Sequence, residues 1–386
     1  MAGAELIGKE ELHQIKRLFE KSNVNLYRYG QNNFLARELE DKFSEYMGVK
    51  YSHLVSSGTA AIHSALAACG IGPGDEVITT SYTFVAPIEA IAALGAVPVP
   101  VNIDSTYHLD PIEVEKHITN NTKAIVSIPM WAAPHMDKIK SIAKNNNLML
   151  IEDSAQALGA EYKGKKLGTF GDIASFSFDA GKTLHTGEGG IIITNDKDLY
   201  DKAAEFSDHG HMHLPGLPRG LDPRRMKGLN LRMSELTAAV GLAQLDKIDF
   251  ILSESKKNKT YIKKQLSTIP NIKFRDFTDE KGSQGDTLIF NFENYKDAIG
   301  LSKYMEEQGL GTKILPEAFD WHFAGSWFHI FNDIDYYKDI DIKAKWAATE
   351  SLLRRSVCIN IPINISLEQC DKIINIIKSG CKQYEW

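Results

Sequence analysis

From about residue 50 to about residue 195, short β-branched runs alternate with helix-like segments, and this alternation narrows the fold more than any other feature of the chain. The runs are His53–Ser57, Asp75–Thr80, Val97–Asn102, Lys123–Ile128, Leu148–Asp153, Ile173–Phe178 and Gly190–Thr194. Several are apolar throughout, as strands covered on both faces should be. Between them, Thr59–Cys69, Ala86–Leu94 and Met136–Asn146 read as helices, and connections this short suit right-handed crossovers. The pattern predicts an α/β fold with one mostly parallel, seven-stranded sheet flanked by helices.

The stretch 205–229 breaks the pattern. SDHGHMHLPGLPRGLDPRRMKG holds three His, three Pro, four Gly and three Arg with no apolar periodicity, so it reads as a loop. Loops of this length inside a compact fold tend to be functional, which makes it a candidate substrate or partner surface. The run that follows, SELTAAVGLAQLDKIDFILSESKKNKTYIKKQL, reads as one long helix leaving the sheet. Beyond it, DTLIFNFE and VCINIPI read as strands, and Lys296–Gln308 and Leu367–Ser379 as helices. A chain of 386 residues has room for two domains, and the expected division is 1–250, a large α/β domain with N-terminal helices, and 251–386, a smaller α+β domain. Trp321, His322, Phe323 and Trp327 either line the acceptor pocket or pack the smaller domain, and core packing is the expectation.

Charge narrows the partners. Lys+Arg 44 against Asp+Glu 50 leaves a net charge of −6, which argues against nucleic acid and against a polybasic membrane surface, and in favour of small molecules. The four cysteines have no metal-like or paired spacing and are expected to be reduced. The N-terminal MAGAELIGKEELHQ carries charges where an export signal needs an apolar run, so a cytoplasmic protein is expected. No metal-ligand set stands out.

Three constellations carry chemistry. Val55–Ala61 (VSSGTAA) runs from a strand end through Gly58 into a helix start, which is either a phosphate cradle at a helix N-terminus or a glycine turn with a capping hydroxyl. In LMLIEDSAQALGA, Asp153 ends an apolar strand, where a carboxylate either faces a ligand crevice or caps the next segment. In SFSFDAGKTLHTGEGG, Lys182 follows a strand and precedes a glycine-rich turn, where it is either a confined lysine that can shift to its neutral, nucleophilic form or a solvated surface lysine. A phosphate cradle, a carboxylate for a ring nitrogen and a lysine that condenses with an aldehyde together describe a pyridoxal phosphate site.

The segments SSGTAAIHSAL, SYTFVAPIEAI, IEDSAQALGA, FSFDAGKTLHTGEGG and GLNLRMSELTAAVGLAQL resemble, in order, the motifs of the DegT/DnrJ/StrS family of sugar aminotransferases, fold-type-I pyridoxal phosphate enzymes. The resemblance runs from GQNNFLARELEDKFSEYMG to INIPINISLEQCDKIINIIKSG, nearly the whole chain. It implies that Lys182 anchors the cofactor and shuttles the proton. It further implies that Asp153 pairs with the ring nitrogen, Gln156 bonds the phenolic oxygen, and Gly58, Thr59 and Ser177 hold the phosphate. Phe84 would stack on the ring, with Tyr82 the alternative. Asn230 would reach the phosphate of a neighbouring subunit's cofactor, implying a homodimer with shared active sites. L-glutamate would be the amino donor. A family branch that replaces the lysine by histidine is a dehydratase; here the lysine is kept, so transamination is expected. Some relatives have been regarded as regulators, and binding of the cofactor without turnover is the competing class of function.

The acceptor is read from the 205–229 loop. His209, His211, His213, Arg219, Arg224 and Arg225 concentrate cations where the family places its substrate loop, implying an anionic carbonyl sugar. The residues His209, Arg219, Arg224 and Arg225 are the candidate substrate contacts. FSFDAGK is closer to branches that act on substrates without a nucleotide, and the chain resembles the transaminases that make 8-amino-3,8-dideoxy-octulosonate from the 8-oxo sugar for lipopolysaccharide. A nucleotide-linked 3- or 4-ketosugar is the alternative acceptor.

Overall fold

In a computed structural model, which describes residues 2–21, 26 and 34–383, the predicted strands assemble into one sheet. They are β1 (Tyr51–Val55), β2 (Glu76–Thr80), β3 (Val97–Val101), β4 (Thr122–Ser127), β5 (Met149–Asp153), β6 (Ile173–Ser177) and β7 (Gly190–Thr194). Their order is β1-β7-β6-β5-β4-β2-β3. The run from β6 to β3 pairs in parallel, and β7 lies antiparallel to both its neighbours, with Ile191 opposite Leu54 on one side and Phe176 on the other. The start of the family resemblance, Gly30 to Asn33, lies outside the described residues.

The edge strand β3 reads VPVPV, a sequence only an edge tolerates because proline cannot donate to a ladder. Its carbonyls are not left open: Tyr337 Oη donates to Pro98 O and Trp346 Nε1 to Pro100 O, each at 2.6 Å. The segment bearing them, from Phe319 to Leu353, buries Phe323, Trp327, Phe331 and Trp346 in the same core as Tyr82 and Tyr107, which follow β2 and β3. Trp321 departs from the expectation: it ends a single 3-10 turn and is 68% exposed, while Phe323 and Trp327 are buried.

Helices cover both faces. The helix α3 (Gly58–Ala68) is apolar nearly all round because it is packed between the sheet and its neighbours α4 (Ala86–Ala93) and α7 (Lys197–Phe206). On the other face α2 (Leu35–Met47) places Phe43 against Phe176 and Phe178, with ring centroids 5.5 and 5.8 Å apart. The start of α2 is capped from a distance, since Glu235 accepts the N–H groups of Leu35 (2.7 Å) and Ala36 (3.0 Å). The expected single long helix is two helices, α8 (Glu235–Asp246) and α9 (Ile248–Leu266). They break at Lys247, whose Nζ is drawn to the Leu6 carbonyl (2.6 Å) and the Glu11 carboxylate (2.7 Å), a tether from a distant part of the sequence set against the unbroken helical periodicity.

From α9 the chain enters a three-stranded antiparallel sheet of β8 (Lys273–Phe274), β9 (Thr287–Asn291) and β10 (Ser356–Asn360). With α9, α10 (Tyr295–Glu307) and α12 (Leu367–Gln383) it encloses a separate core around Leu288, Phe290, Leu301 and Ile377; the short α11 (Ala347–Arg354) leads into β10. No described helix is long and apolar enough to cross a membrane.

One lysine of α9 is buried. Lys259 Nζ donates to Gln284 O (2.6 Å) and Ser283 Oγ (3.3 Å), and burial, reinforced by Arg275 and Lys263 and opposed by Asp286 and Glu280, pushes its pKa down to about 7. Between that value and the ordinary lysine value of 10.5 the unfolded chain binds a proton the folded chain does not, so this residue makes stability rise with pH across that window. Thermal melts of the wild type and Lys259→Met at about pH 6 and about pH 9 check this. The wild type should gain on the variant at the higher pH, and parallel behaviour would assign the titration to another group.

Candidate active site

Strand β1 ends at Val55, and Ser56 N–H is held by the Leu231 carbonyl at 2.7 Å. Ser57 then caps α3, its Oγ accepting Ala60 N–H at 3.0 Å. The N–H groups of Gly58 and Thr59 in the first turn have no carbonyl four residues back within the helix, and they stand at the positive end of the helix dipole. Gly58 is required here by close approach: a Cβ would lie 2.6 Å from Ser177 Cβ and 2.8 Å from Ser177 Oγ. Ser177 closes strand β6, so the cradle is built where two strand ends meet one helix start.

Asp153 ends β5 and is nearly out of water. Its Oδ1 accepts from Ser175 Oγ (3.2 Å) and Ala155 N–H (3.3 Å). Burial raises its pKa above the ordinary carboxylate value; the Ala155 bond, the positive charge of Lys182 and the Ser175 bond oppose that rise.

Lys182 sits in the loop between β6 and β7. The loop is closed by Phe178 N–H to Gly189 O (2.8 Å) and Thr186 N–H to Phe178 O (2.9 Å), and Lys182 N–H bonds Asp179 O at 3.0 Å. Fully buried Leu184 pins it, and Gly187 takes the left-handed backbone (φ +85°) that the return to β7 demands. Burial pushes the Lys182 pKa down and Lys313 adds to this, against the pull of Asp153, Asp179 and Asp286. The environment thus favours the neutral, nucleophilic amine more than water does.

These pieces face one cavity of about 290 Å³, lined among others by Gly58, Thr59, Phe84, Asp153, Gln156, Ser177 and Lys182. All seven were expected from the sequence to meet a cofactor. Thr83, Asp179 and Glu188 also line it and were not foreseen. Phe84 is 40% exposed, with its ring 5.7 Å from that of His322. Burial pushes the pKa of His322 down to about 4, with the Lys182 charge a smaller cause, and its Nδ1 lies 3.0 Å from Ala318 O. Of the two places the sequence leaves open for His322, the pocket or the core, the structure puts it beside the pocket: it arrives from the Phe319–Leu353 segment against Phe84.

The remaining expected residues lie elsewhere. His209, Arg219, Arg224, Arg225 and Asn230 do not line the Lys182 cavity of their own chain. Arg219 bonds Asp208 (2.8 Å) and Arg225 bonds Glu205 (2.9 Å), while His211 meets Asp222 at 3.2 Å. The loop's cations are therefore largely matched by acids of the same segment, which the reading of the loop as a cationic surface overlooked. His209, Arg224 and Asn230 are exposed, and among the described residues Arg224 has no ion pair. Arg225, His213 and Arg232 line a second cavity of about 670 Å³ with Arg37, His53 and Tyr200.

The sequence profile of the DegT/DnrJ/EryC1/StrS aminotransferase family matches residues 6–378. The chain belongs to that family. GDP-perosamine synthase of Escherichia coli O157:H7 is 41% identical over 243 residues, 61% of this chain and 64% of its own length, so the chain spans just under two thirds of that relative. GDP-perosamine synthase of Vibrio cholerae is 30% identical over 88% of this chain and 89% of its own. Among solved structures, Helicobacter pylori PseC, an aminotransferase involved in the biosynthesis of pseudoaminic acid, superposes with a TM-score of 0.83 over 98% of this chain and 97% of its own; at 22% identity this likeness is one of fold.

Pyridoxal phosphate is the family's cofactor, and the cavity fits it. The space left by the missing Cβ of Gly58, the N–H groups of the first turn, the carboxylate of Asp153 and the amine of Lys182 are the donor set that a phosphate, a pyridine nitrogen and an aldehyde require.

Two outcomes follow from this geometry. Gly58→Ala forces its Cβ into Ser177 and should weaken binding of pyridoxal phosphate by about tenfold or more with the far-UV spectrum unchanged, as equilibrium titration would measure. Arg224→Ala should leave thermal stability within about 0.5 kcal/mol of wild type, whereas Arg219→Ala and Arg225→Ala, which strip partners from Asp208 and Glu205, should lower it by more; calorimetry separates them.

Proposed function

We propose that the protein transfers an amino group from L-glutamate to an anionic carbonyl sugar, using pyridoxal phosphate held in the Lys182 cavity. The observation that carries the reading is the meeting of Lys182 and Asp153 in one cavity whose wall is the open helix start at Gly58 and Thr59. When bound, the cofactor supplies an aldehyde that takes up amines and a ring that accepts the electrons of a broken C–H bond.

The chain's own residues divide the work. Gly58, Thr59 and Ser177 hold the phosphate through backbone N–H and hydroxyl groups. Asp153 Oδ keeps a proton on the ring nitrogen, because an anion that is out of water strongly favours a cation beside it. Gln156 bonds the phenolic oxygen and Phe84 stacks on the ring face. Lys182 Nζ binds the cofactor at rest. Displaced by the donor amine, it would carry the proton from the donor's α-carbon to the cofactor's aldehyde carbon, and in the second half of the cycle it would carry a proton from that carbon to the carbon that was the acceptor's carbonyl. A lowered amine pKa suits this base role near neutral pH.

Two acceptors share the anionic chemistry. A nucleotide-linked ketosugar is supported by the GDP-perosamine synthases among the relatives. The 8-oxo-3,8-dideoxy-octulosonate is supported by the likeness of FSFDAGK to branches that act without a nucleotide. The reading includes a homodimer in which Asn230 serves the partner's cofactor. In its support, Leu214, Leu217, Leu221, Leu229 and Leu236, flanking Asn230 in the chain, are 40, 42, 71, 45 and 39% exposed, apolar side chains that a partner subunit would cover.

The test is the visible absorption band of the cofactor-loaded protein before and after L-glutamate, with Lys182→Ala beside it. The band should bleach in the wild type and hold in the variant; then a GDP-linked 4-ketosugar and the 8-oxo octulosonate are offered in separate arms, and the one that restores the band is the acceptor. A wild-type band indifferent to glutamate and to other amino acids would overturn turnover in favour of a binding protein.

A further inference from the structure

The loop that carries Lys182 is held from outside at three points. Gly3 N–H donates to the Lys182 carbonyl (3.3 Å), His185 N–H donates to Gln244 Oε1 (3.4 Å), and Gln284 Nε2 donates to the Thr183 hydroxyl (3.1 Å). The third point differs from the others because Gln284 is also tied, by way of Trp131, to Gln156, which lines the cavity. Its side chain is 3% exposed, and the same Nε2 donates to the Leu158 carbonyl. Its backbone N–H donates to Trp131 O (2.8 Å), and its carbonyl accepts Lys259 Nζ (2.6 Å). Trp131 N–H in turn donates to the carbonyl of Gln156 at 3.2 Å.

A continuous path thus runs from Gln156 through Trp131 and Gln284 to Thr183 and Lys182, joining two residues of the cavity wall that no strand pairing connects directly. The links between residues distant in sequence are hydrogen bonds and the last, Thr183 to Lys182, is the chain itself; buried bonds of this kind are strong and a lost partner leaves a costly orphan. Trp131 is 2% exposed and holds a left-handed backbone (φ +61°) that a bulky residue adopts only when its surroundings enforce it. Gln284 itself comes from the segment leading into β9, outside the large sheet, and no ladder bond of β9 uses its side chain.

We propose that Gln284 is a positioning residue that sets the Lys182 loop against the Gln156 wall of the cavity, through Thr183 on one side and Trp131 on the other. The inference rests on the reading of Lys182 as the amine that takes the cofactor. It makes the spacing between that amine and the ring depend on a side chain that touches neither.

The experiment compares Gln284→Met, Thr183→Val, the double variant and Thr183→Ser. Hydrogen exchange of the amides from 179 to 186 is read in the cofactor-free protein, and pyridoxal phosphate capture by absorbance titration in the same samples. Gln284→Met and Thr183→Val should each speed exchange in the loop and weaken capture by about tenfold, the size of one buried hydrogen bond; the double variant should be no worse than either alone, and Thr183→Ser should restore both readouts. Additive losses, a Thr183→Val that behaves as wild type, or a Gln284→Met that loosens β9 and β10 as much as the loop would overturn the positioning role. A wild type that captures no pyridoxal phosphate would instead sink the proposed function, and loop exchange in the cofactor-free variants would still decide whether Gln284 holds the loop.

Discussion

Lys182 and Asp153 are held in one cavity where burial disfavours each charge and the other charge favours it. That balance works only if the cavity stays largely dry and both groups are fixed, since a mobile pair would escape to water and lose the effect. The fold supplies both conditions. Asp153 is fixed by the β5 ladder and by Ser175 from the neighbouring strand. Lys182 has no ladder, so its loop is held by a turn of its own and by contacts from three distant parts of the chain. A further wall is the α3 start, pressed so closely on Ser177 that a single added methyl would separate them.

Much of this was legible in the sequence because strands and their ends announce themselves. Buried parallel strands need continuous β-branched runs, and each of the seven predicted strands lies within two residues of an observed one at either end. Since a parallel sheet brings the C-terminal ends of its strands to one edge, residues that follow β1, β5 and β6 had to meet, and Gly58, Asp153 and Lys182 do. What stayed hidden depends on side chains acting at long range. The break at Lys247 comes from Glu11 and Leu6, more than two hundred residues away in sequence, and nothing in the local periodicity marks it. Trp321 was taken for core on composition, yet its turn leaves the ring in solvent while neighbours two and six residues on are buried.

The loop before α8 is the instructive error of weighting. Counting its histidines and arginines suggested an open cationic surface, but a charge is available to a ligand only in proportion to what already neutralises it. Asp208 engages Arg219 and Arg232, Glu205 engages Arg225, and buried Asp222 accepts the N–H groups of His213 (2.9 Å) and Leu214 (3.0 Å). The acids Glu205, Asp208 and Asp222 are visible in the same stretch of sequence, and the structure uses them to engage Arg225, Arg219 and His211. Several of the cations fold the loop, which presents exposed leucines and Asn230 outward beside His209 and Arg224.

Adjacent carboxylates show how one strand separates structural work from chemical work. Glu152 and Asp153 are consecutive in β5, so the pleat sends them to opposite faces. Glu152 is fully buried and accepts three N–H groups, from Gly168 (2.8 Å), Phe170 (2.6 Å) and Gly171 (2.7 Å). These bonds occupy its oxygens in holding the turn before β6, so it has little capacity left for a ligand. Asp153 accepts only two bonds, each longer than 3.1 Å and both to the same oxygen, and it lines the cavity. Two acids equally buried by a sheet thus differ in availability by which face they meet, and that difference makes Asp153, and not its neighbour, the residue able to hold a cationic ring nitrogen.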